Sequence, residues 1–595
     1  MRWIWKTGAC TSVEVVSGVL GNGTGGLTKA GRGVWTVNGA NASTFSGALT
    51  LQGGTLVLDY ANLATPTNLL NPAIALTAQG GVLTLRGKSG DVTTQTFGNV
   101  TAGPGATRLE GEVSGGGTLS VTIGSLTATA GFGGLAIKTP TGVTFTTTSA
   151  PVANGLYGAR VVHIGPSGAV NFATSSSGSA PYTIEAFSSY TDLPASGSVA
   201  TTNYIVNGTL VGGVTASESV NTLKLTDAGT PGSLNIATGQ MLSLASGAML
   251  YDGSGGFTVS GNVIRTSVNN ADLVVHQYGT GDLTVSAAIQ NGSGTNGLLK
   301  VGPGRLVLSG TNTFTGNLRV DEGVLSVGAN ANLGAIGTAI PITLSGGVLE
   351  ATATFAMDNS GANSRTVVLG AGGGTIRVNS GTNLTVSGVV SGSGRFVKTG
   401  DGKLILSAVN TFSGGLEISA GTVSVSGASG LGAAASAVLL KGGNVEMTGG
   451  SAFTNSRRFR FDNAARFDVT NTAGVTLSGH LFGTGGLTKG GAGNLILTST
   501  NEFTGGLTIE AGTVTLGDGT STNLTMGSDI TNNGTLAVNT PETFRFNGAM
   551  SGTGGLVKSG AGAMVLTKAG TWTGDTVLSA GSLVLENAPA LGGSA

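Results

Sequence analysis

The 595-residue chain has a single cysteine, Cys10, so it can close no disulfide within itself and can build no cysteine-rich metal cluster. Only 9% of its residues are charged, and 28 basic residues are matched by 28 acidic ones, for a formal net charge of zero. That balance leaves no sequence-wide electrostatic footprint for nucleic acid or for an anionic membrane surface. No apolar run approaches the roughly eighteen residues that a membrane-crossing helix needs. Prolines number 13, and no amphipathic helical stretch of useful length is present. The 107 glycines do not recur at every third position, which excludes collagen.

What the chain does have is apolar and periodic. Apolar residues make up 39% of it, too many for ordinary disorder. Runs such as "TLVLD", "LTVSG" and "LILS" place Val, Leu or Ile at every second position, the period of a half-buried strand. Glycine or Asn-Gly punctuation every eight to twelve residues or so predicts many short strands joined by tight turns.

Five stretches align on a lysine: Lys29, Lys300, Lys398, Lys489 and Lys558. Glycines follow two and four residues later in every copy, as in Gly302 and Gly304 or Gly491 and Gly493. Fourteen residues after the lysine stands an aromatic, Phe314, Phe412, Phe503 or Trp572, and in the first copy Phe45, displaced by a two-residue insertion. Twenty-three residues after it comes a strand-opening glycine, Gly323, Gly421, Gly512 or Gly581, with Gly54 again two residues late. A module of this size cannot bury its own apolar face and must stack on neighbours. Alternation such as Leu495 and Leu497 then builds one continuous core. Two residues before the ring stand Asn312, Asn410 and Asn501, with Gly570 in the fifth copy; shared tolerance of positive φ predicts a left-handed turn there. Two before the strand-opening glycine the chemistry varies, Gln52, Asp321, Ser419, Glu510 and Ser579, as expected of a solvated outer face.

The lysine-glycine-aromatic module resembles the passenger-associated repeat, or autotransporter-associated β-strand repeat, of surface β-helices in Gram-negative and related bacteria. The resemblance covers residues 18–60, 283–334, 384–431, 475–517 and 544–592, less than half of the chain. It implies a right-handed parallel β-helix carried outside the cell, often ahead of a C-terminal outer-membrane barrel. The expected fold is therefore all-β, a single elongated right-handed parallel β-helix (β-solenoid), with about two dozen coils spaced about 4.8 Å apart. An N-terminal edge or cap is expected at 1–17, the first repeat at 18–60, divergent coils at 61–282, and the four further repeats within 283–595. The opening "MRWIWKTGACTS" lacks the apolar core of a secretory signal, no barrel-like strands close the chain, and "LVLENAPALGGSA" stops in a continuing repeat. The chain reads as a piece of something longer, or as one whose start is placed late.

Chemistry is sparse. The five lysines would form either a stripe for polyanions or solvated strand ends that discourage edge pairing, and their low density favours the second. Glu110 and Glu112 share one strand face, the spacing of a catalytic carboxylate pair, or simply point to water between inward Leu109 and Val113. His163, His276 and His480 have no metal-like spacing, Asp401 and Asp518 lack the tandem pattern of calcium repeats, and Gly21, Gly23 and Gly26 match a dinucleotide fingerprint only because glycine is abundant. No catalytic, metal or cofactor residue is assigned. Residues 151–205 depart from the module and concentrate aromatics, so protruding loops are expected there. Tyr157, Tyr182, Tyr190 and Tyr204 with Glu185 and Asp192 are the candidate ligand-binding residues, against a reading in which the rings fill wider coils or a cap.

The function expected from all this is a surface-exposed or secreted stalk or adhesin segment. Its candidate partners are surface glycans or host and neighbour-cell proteins, with end-to-end or lateral self-association. A glycan-binding module, and behind it a β-helical polysaccharide lyase or hydrolase, are the alternatives.

Overall fold

The structure is a computed structural model that describes residues 3–6, 13–17, 20–21, 23–127, 133–358 and 364–586. Cys10, part of the expected cap at 1–17 and residues 587–595 lie outside the described residues. Within them every regular element is a strand, apart from short 3-10 turns at Ala153–Gly155, Asn330–Leu333 and Ala428–Leu431. Except at one turn-back, the strands pair in parallel, coil on coil, into a β-solenoid of about 25 turns. The chain divides into two units, residues 1–350 with 367–374, and residues 351–366 with 375–595.

The second unit shows how the alternation works. Leu487–Gly490, Asn494–Leu497 and Thr500–Phe503 each join a different sheet, and Leu507–Ile509 then returns to lie on Leu487–Gly490. Inward residues meet in register: Val475 on Leu495, Leu495 on Val514, Val514 on Leu536, and Leu536 on Leu556, all buried. Each such side chain stabilises the fold by about 1.5–3 kcal/mol through burial, before the entropy of ordering the chain is counted.

The modular asparagines are not left-handed turn residues, which corrects the expectation. The positive-φ non-glycine residues among those described are Asn68, Asn154 and Asn270. Asn312 and Asn410 are buried and stitch coils together. Their Oδ1 atoms accept the N–H groups of Ile289 and Val390 at 2.8 Å, and their Nδ2 atoms donate to the carbonyls of Asn332 and Gly430 at 2.6 and 2.7 Å. A carboxamide offers a donor and an acceptor at once, which suits a bridge between backbone groups of different coils. Asn501 turns instead to the Ser499 carbonyl.

The first unit contains a turn-back that the periodicity does not announce. Parallel stacking of its early coils runs to Val161–Ile164, which then pairs antiparallel with Val170–Thr174, and that strand with Glu185–Ala186. The sequence "GPSG" at 165–168 makes the reversal, with Gly168 at φ 85°. Parallel coils resume at Asn203–Asn207 and lie along the flank of the early ones. Lys224 Nζ donates to the Val170 carbonyl at 2.9 Å, Arg160 pairs with Asp272 at 3.0 Å, and the Gly105 N–H donates to Asp321 at 3.2 Å. Moving back along the early coils means moving forward along the later ones, so the two files run in opposite directions.

Candidate functional site

The modular lysines are not solvated strand ends. Lys29 is 2% exposed and the other four are fully buried, each in a column of inward side chains. Lys558, for instance, continues the column of Leu497, Leu516 and Val538. Each ammonium donates to three carbonyls, those one and two residues on and one from the next coil, at 2.6–3.4 Å. An ammonium has three protons, so the set is complete. Burial nevertheless pushes Lys29, Lys398 and Lys489 down to about 8 from an ordinary 10.5.

The glycine spacing follows from this socket. The glycine two after each lysine sits at φ 71–83°, which aims its carbonyl at the ammonium. At the strand-opening glycine a Cβ would come within 2.6–3.0 Å of Nζ in four copies, at Gly54, Gly323, Gly421 and Gly581. The sequence did hold the signal for this. In each copy the lysine stands two residues after an apolar one, Leu27, Leu298, Phe396, Leu487 or Leu556, so strand alternation puts it on the core face.

One copy departs from the rest. Around Lys300 the two residues before the strand-opening glycine are Asp321 and Glu322, where the later copies have Ser419 and Ala420, Glu510 and Ala511, or Ser579 and Ala580. Asp321 is buried, not on a solvated face, because the early coils of the first unit cover it. Its Oδ2 takes the Gly105 N–H and Arg319 Nη2, while Oδ1 has no hydrogen-bond partner among the described residues. Burial raises its carboxyl to about 6. Burial also raises Glu322, against the pull of Lys300 and Arg108. Beside these carboxylates a cleft of about 310 Å³ opens between the two files of coils. Arg32 and Arg108 line it from the early file, and Tyr278, Glu322 and Ser345 from the later one.

The candidate residues at 151–205 fall into separate groups at the turn-back. Tyr157 and Tyr204 are buried, Tyr182, Glu185 and Tyr190 half-buried, and Asp192 exposed. Tyr182 and Glu185 lie beside the Tyr157 phenol, which burial pushes up to about 12. Tyr190 stands edge-on to Phe187 at 4.9 Å, has Lys224 Nζ 5.6 Å from its ring centroid, and accepts the Phe172 N–H at 3.3 Å. The Tyr204 hydroxyl accepts the Val199 N–H, and its strand pairs with that of Asp192. Glu110 is held by Arg108 at 2.9 Å and Lys138 at 3.6 Å, and Glu112 by Arg86 at 2.9 Å, so both sit in ion pairs. His163 meets the Thr139 hydroxyl, His276 the Ala159 carbonyl and His480 Glu502. Among the described residues no group of three or more His, Cys, Asp or Glu is placed to hold a metal ion, and no helix is long and apolar enough to cross a membrane.

Comparison with known proteins agrees with the module. The family model described as the passenger-associated-transport-repeat matches residues 27–58, 298–327, 396–425, 487–516 and 556–585. The adhesin BmaC autotransporter of Brucella suis biovar 1 (strain 1330) is 30% identical over 546 residues, a stretch covering 82% of this chain and 16% of that protein. The chain thus spans about a sixth of the length of this relative. No solved structure matches it significantly.

Proposed function

From the premise that the chain carries five passenger-associated-transport repeats, we propose that it is a segment of a secreted or surface-exposed bacterial passenger, working as a stalk and adhesion scaffold rather than as an enzyme. The observation that carries this reading is the repeated lysine socket inside a buried apolar ladder. It closes the corners of successive coils with backbone and ammonium alone, a device suited to a chain that must hold its shape outside the cell. Kinship with an adhesin autotransporter supports the adhesive half.

Two measurements test the two halves. Protease added to intact producing cells should remove the epitopes of this chain; epitopes that survive until lysis would refute the surface location. Beads coated with the purified chain should attach to host-type or neighbouring cells more than bare beads do. Equal attachment would remove adhesion and leave the stalk.

A further inference from the structure

We propose that the cleft between the two files of coils in the first unit is a binding site for a short neutral saccharide. The inference deepens the adhesive half of the reading above by naming a ligand class. It rests on that half only for its biological sense, since the site is built by the chain itself.

A repeat protein supplies its own baseline. At the positions of Asp321 and Glu322 the later copies carry small or solvent-facing residues, so nothing in the coil or its lysine socket requires two acids there. Within their own file Asp321 pairs with Arg319 and Glu322 lies beside Lys300, and the flanking file adds the Gly105 N–H and Arg108. An unpaired buried carboxylate oxygen is costly, yet Asp321 Oδ1 has no hydrogen-bond partner among the described residues.

The groups around the cleft sort by chemistry. Glu322 and Asp321 accept hydrogen bonds, Arg32 and Arg108 donate, and the hydroxyls of Tyr278 and Ser345 do both. Two guanidinium groups against two carboxylates leave the site without a dominant charge, which disfavours a polyanion and a bare cation alike. A ligand rich in vicinal hydroxyls meets both sets at once. Much of the wall is glycine backbone, Gly53, Gly54, Gly80 and Gly81 among it, so a ring can approach the chain closely. The volume, about 310 Å³, lies at the small end of the ~300–1,000 Å³ common for ligand pockets and suits a mono- or disaccharide.

Binding of galactose, lactose and N,N′-diacetylchitobiose to the intact chain, with sialyllactose as an acidic comparison, tests the assignment by calorimetry or ligand-observed NMR. At least one neutral sugar should bind. Arg32→Ala, which removes an exposed side chain, and Tyr278→Phe, which removes one hydroxyl, should each weaken it by about fivefold to tenfold. Glu322→Gln should weaken it by tenfold or more, with a thermal unfolding scan showing that the variant is folded. If Glu322→Gln does not fold, Arg32→Ala and Tyr278→Phe decide the matter alone. No binding of any neutral sugar by the folded chain would overturn the proposal, as would preference for the acidic sugar. Binding that survives these variants but is lost in Tyr182→Ala would place the site at residues 151–205 and overturn it too. A chain displayed on the surface that binds no sugar keeps the previous reading and sinks this one.

Discussion

Lys300 in the first unit and Lys489 in the second fill the same socket in different surroundings. Lys489 takes its third carbonyl from Ala511, and the neighbouring Glu510 reaches out to pair with Arg466 at the surface. Lys300 takes its third carbonyl from Glu322, whose half-buried side chain lies beside the ammonium where a second file of coils comes alongside. The module therefore specifies a coil and its corner, whereas departures from the module specify what lies against that coil. In the first unit the departures are acids, Asp321 and Glu322, which with Asp272 outside the module face basic or N–H groups of the early coils.

The largest expected effect separates the two sockets. Lys300→Met leaves three carbonyls without a donor and also takes from half-buried Glu322 the stronger of its two cations, leaving Arg108, so it should cost the first unit more, about 3 kcal/mol. Lys489→Met uncaps carbonyls alone and should cost the second unit about 1–3 kcal/mol. Hydrogen exchange resolved by segment would read both losses, and equal values would break the comparison. Adding Glu322→Gln to Lys300→Met should recover part of the larger loss, whereas simple additivity would mean that the two groups do not interact.

Next in size is the seam itself. Arg160 is buried and paired with Asp272, so Arg160→Met strands a carboxylate between the files and should loosen the early coils by about 3 kcal/mol. Limited proteolysis should then cut faster within 175–205, with cleavage in the second unit unchanged. Unchanged cutting at the turn-back would mean that the files hold together without this pair. A smaller loss, about 1–3 kcal/mol, is expected for Gly512→Ala, where φ is 67° and a Cβ would press on the backbone of Gly491. The same change at Gly323, where φ is 69° and a Cβ would press on the Gly302 carbonyl and come within 2.7 Å of Lys300 Nζ, should cost at least as much; thermal unfolding of the two variants compares them.

How much of this was legible depends on whether the cause is local. Strand alternation and the lysine-glycine spacing are local, so the parallel coil and the resemblance to a passenger-type repeat could be read from the sequence. The lysines read as solvated strand ends when charge is weighed ahead of parity, yet Leu487 and Lys489 share a face, and that face is the core. Asn410 reads as a turn residue because a buried carboxamide bridge and a left-handed turn attract the same residue. The turn-back left a local trace in "GPSG", but nothing near Gly105 in the chain indicates that its N–H will meet Asp321, 216 residues away. The cleft and its carboxylates depend on that long-range meeting, so the sequence showed Asp321 only as one variant among five at its position.

The smallest expected effect concerns protons. Burial holds Lys398 and Lys489 at about 8, against 10.5 in an unfolded chain. A base whose folded pKa is lowered loses its proton first in the folded state, so between about 8 and 10.5 the unfolded chain carries more protons than the folded one. Stability contributed by these groups must therefore rise with pH across that window, and unfolding near pH 9 must take protons up. Calorimetry in buffers of different ionisation enthalpy counts them, and Lys489→Met should lower the uptake by a fraction of one proton. In the first unit Lys29 should behave alike, being held at about 8 as well, whereas Lys300 is lowered further, to about 7, because its deeper burial outweighs the pull of Glu322. Lys300→Met and Lys489→Met compared near pH 8 should therefore differ, with the larger loss of uptake at Lys300, and identical changes would show that the deeper burial there is offset in full by the neighbouring acid.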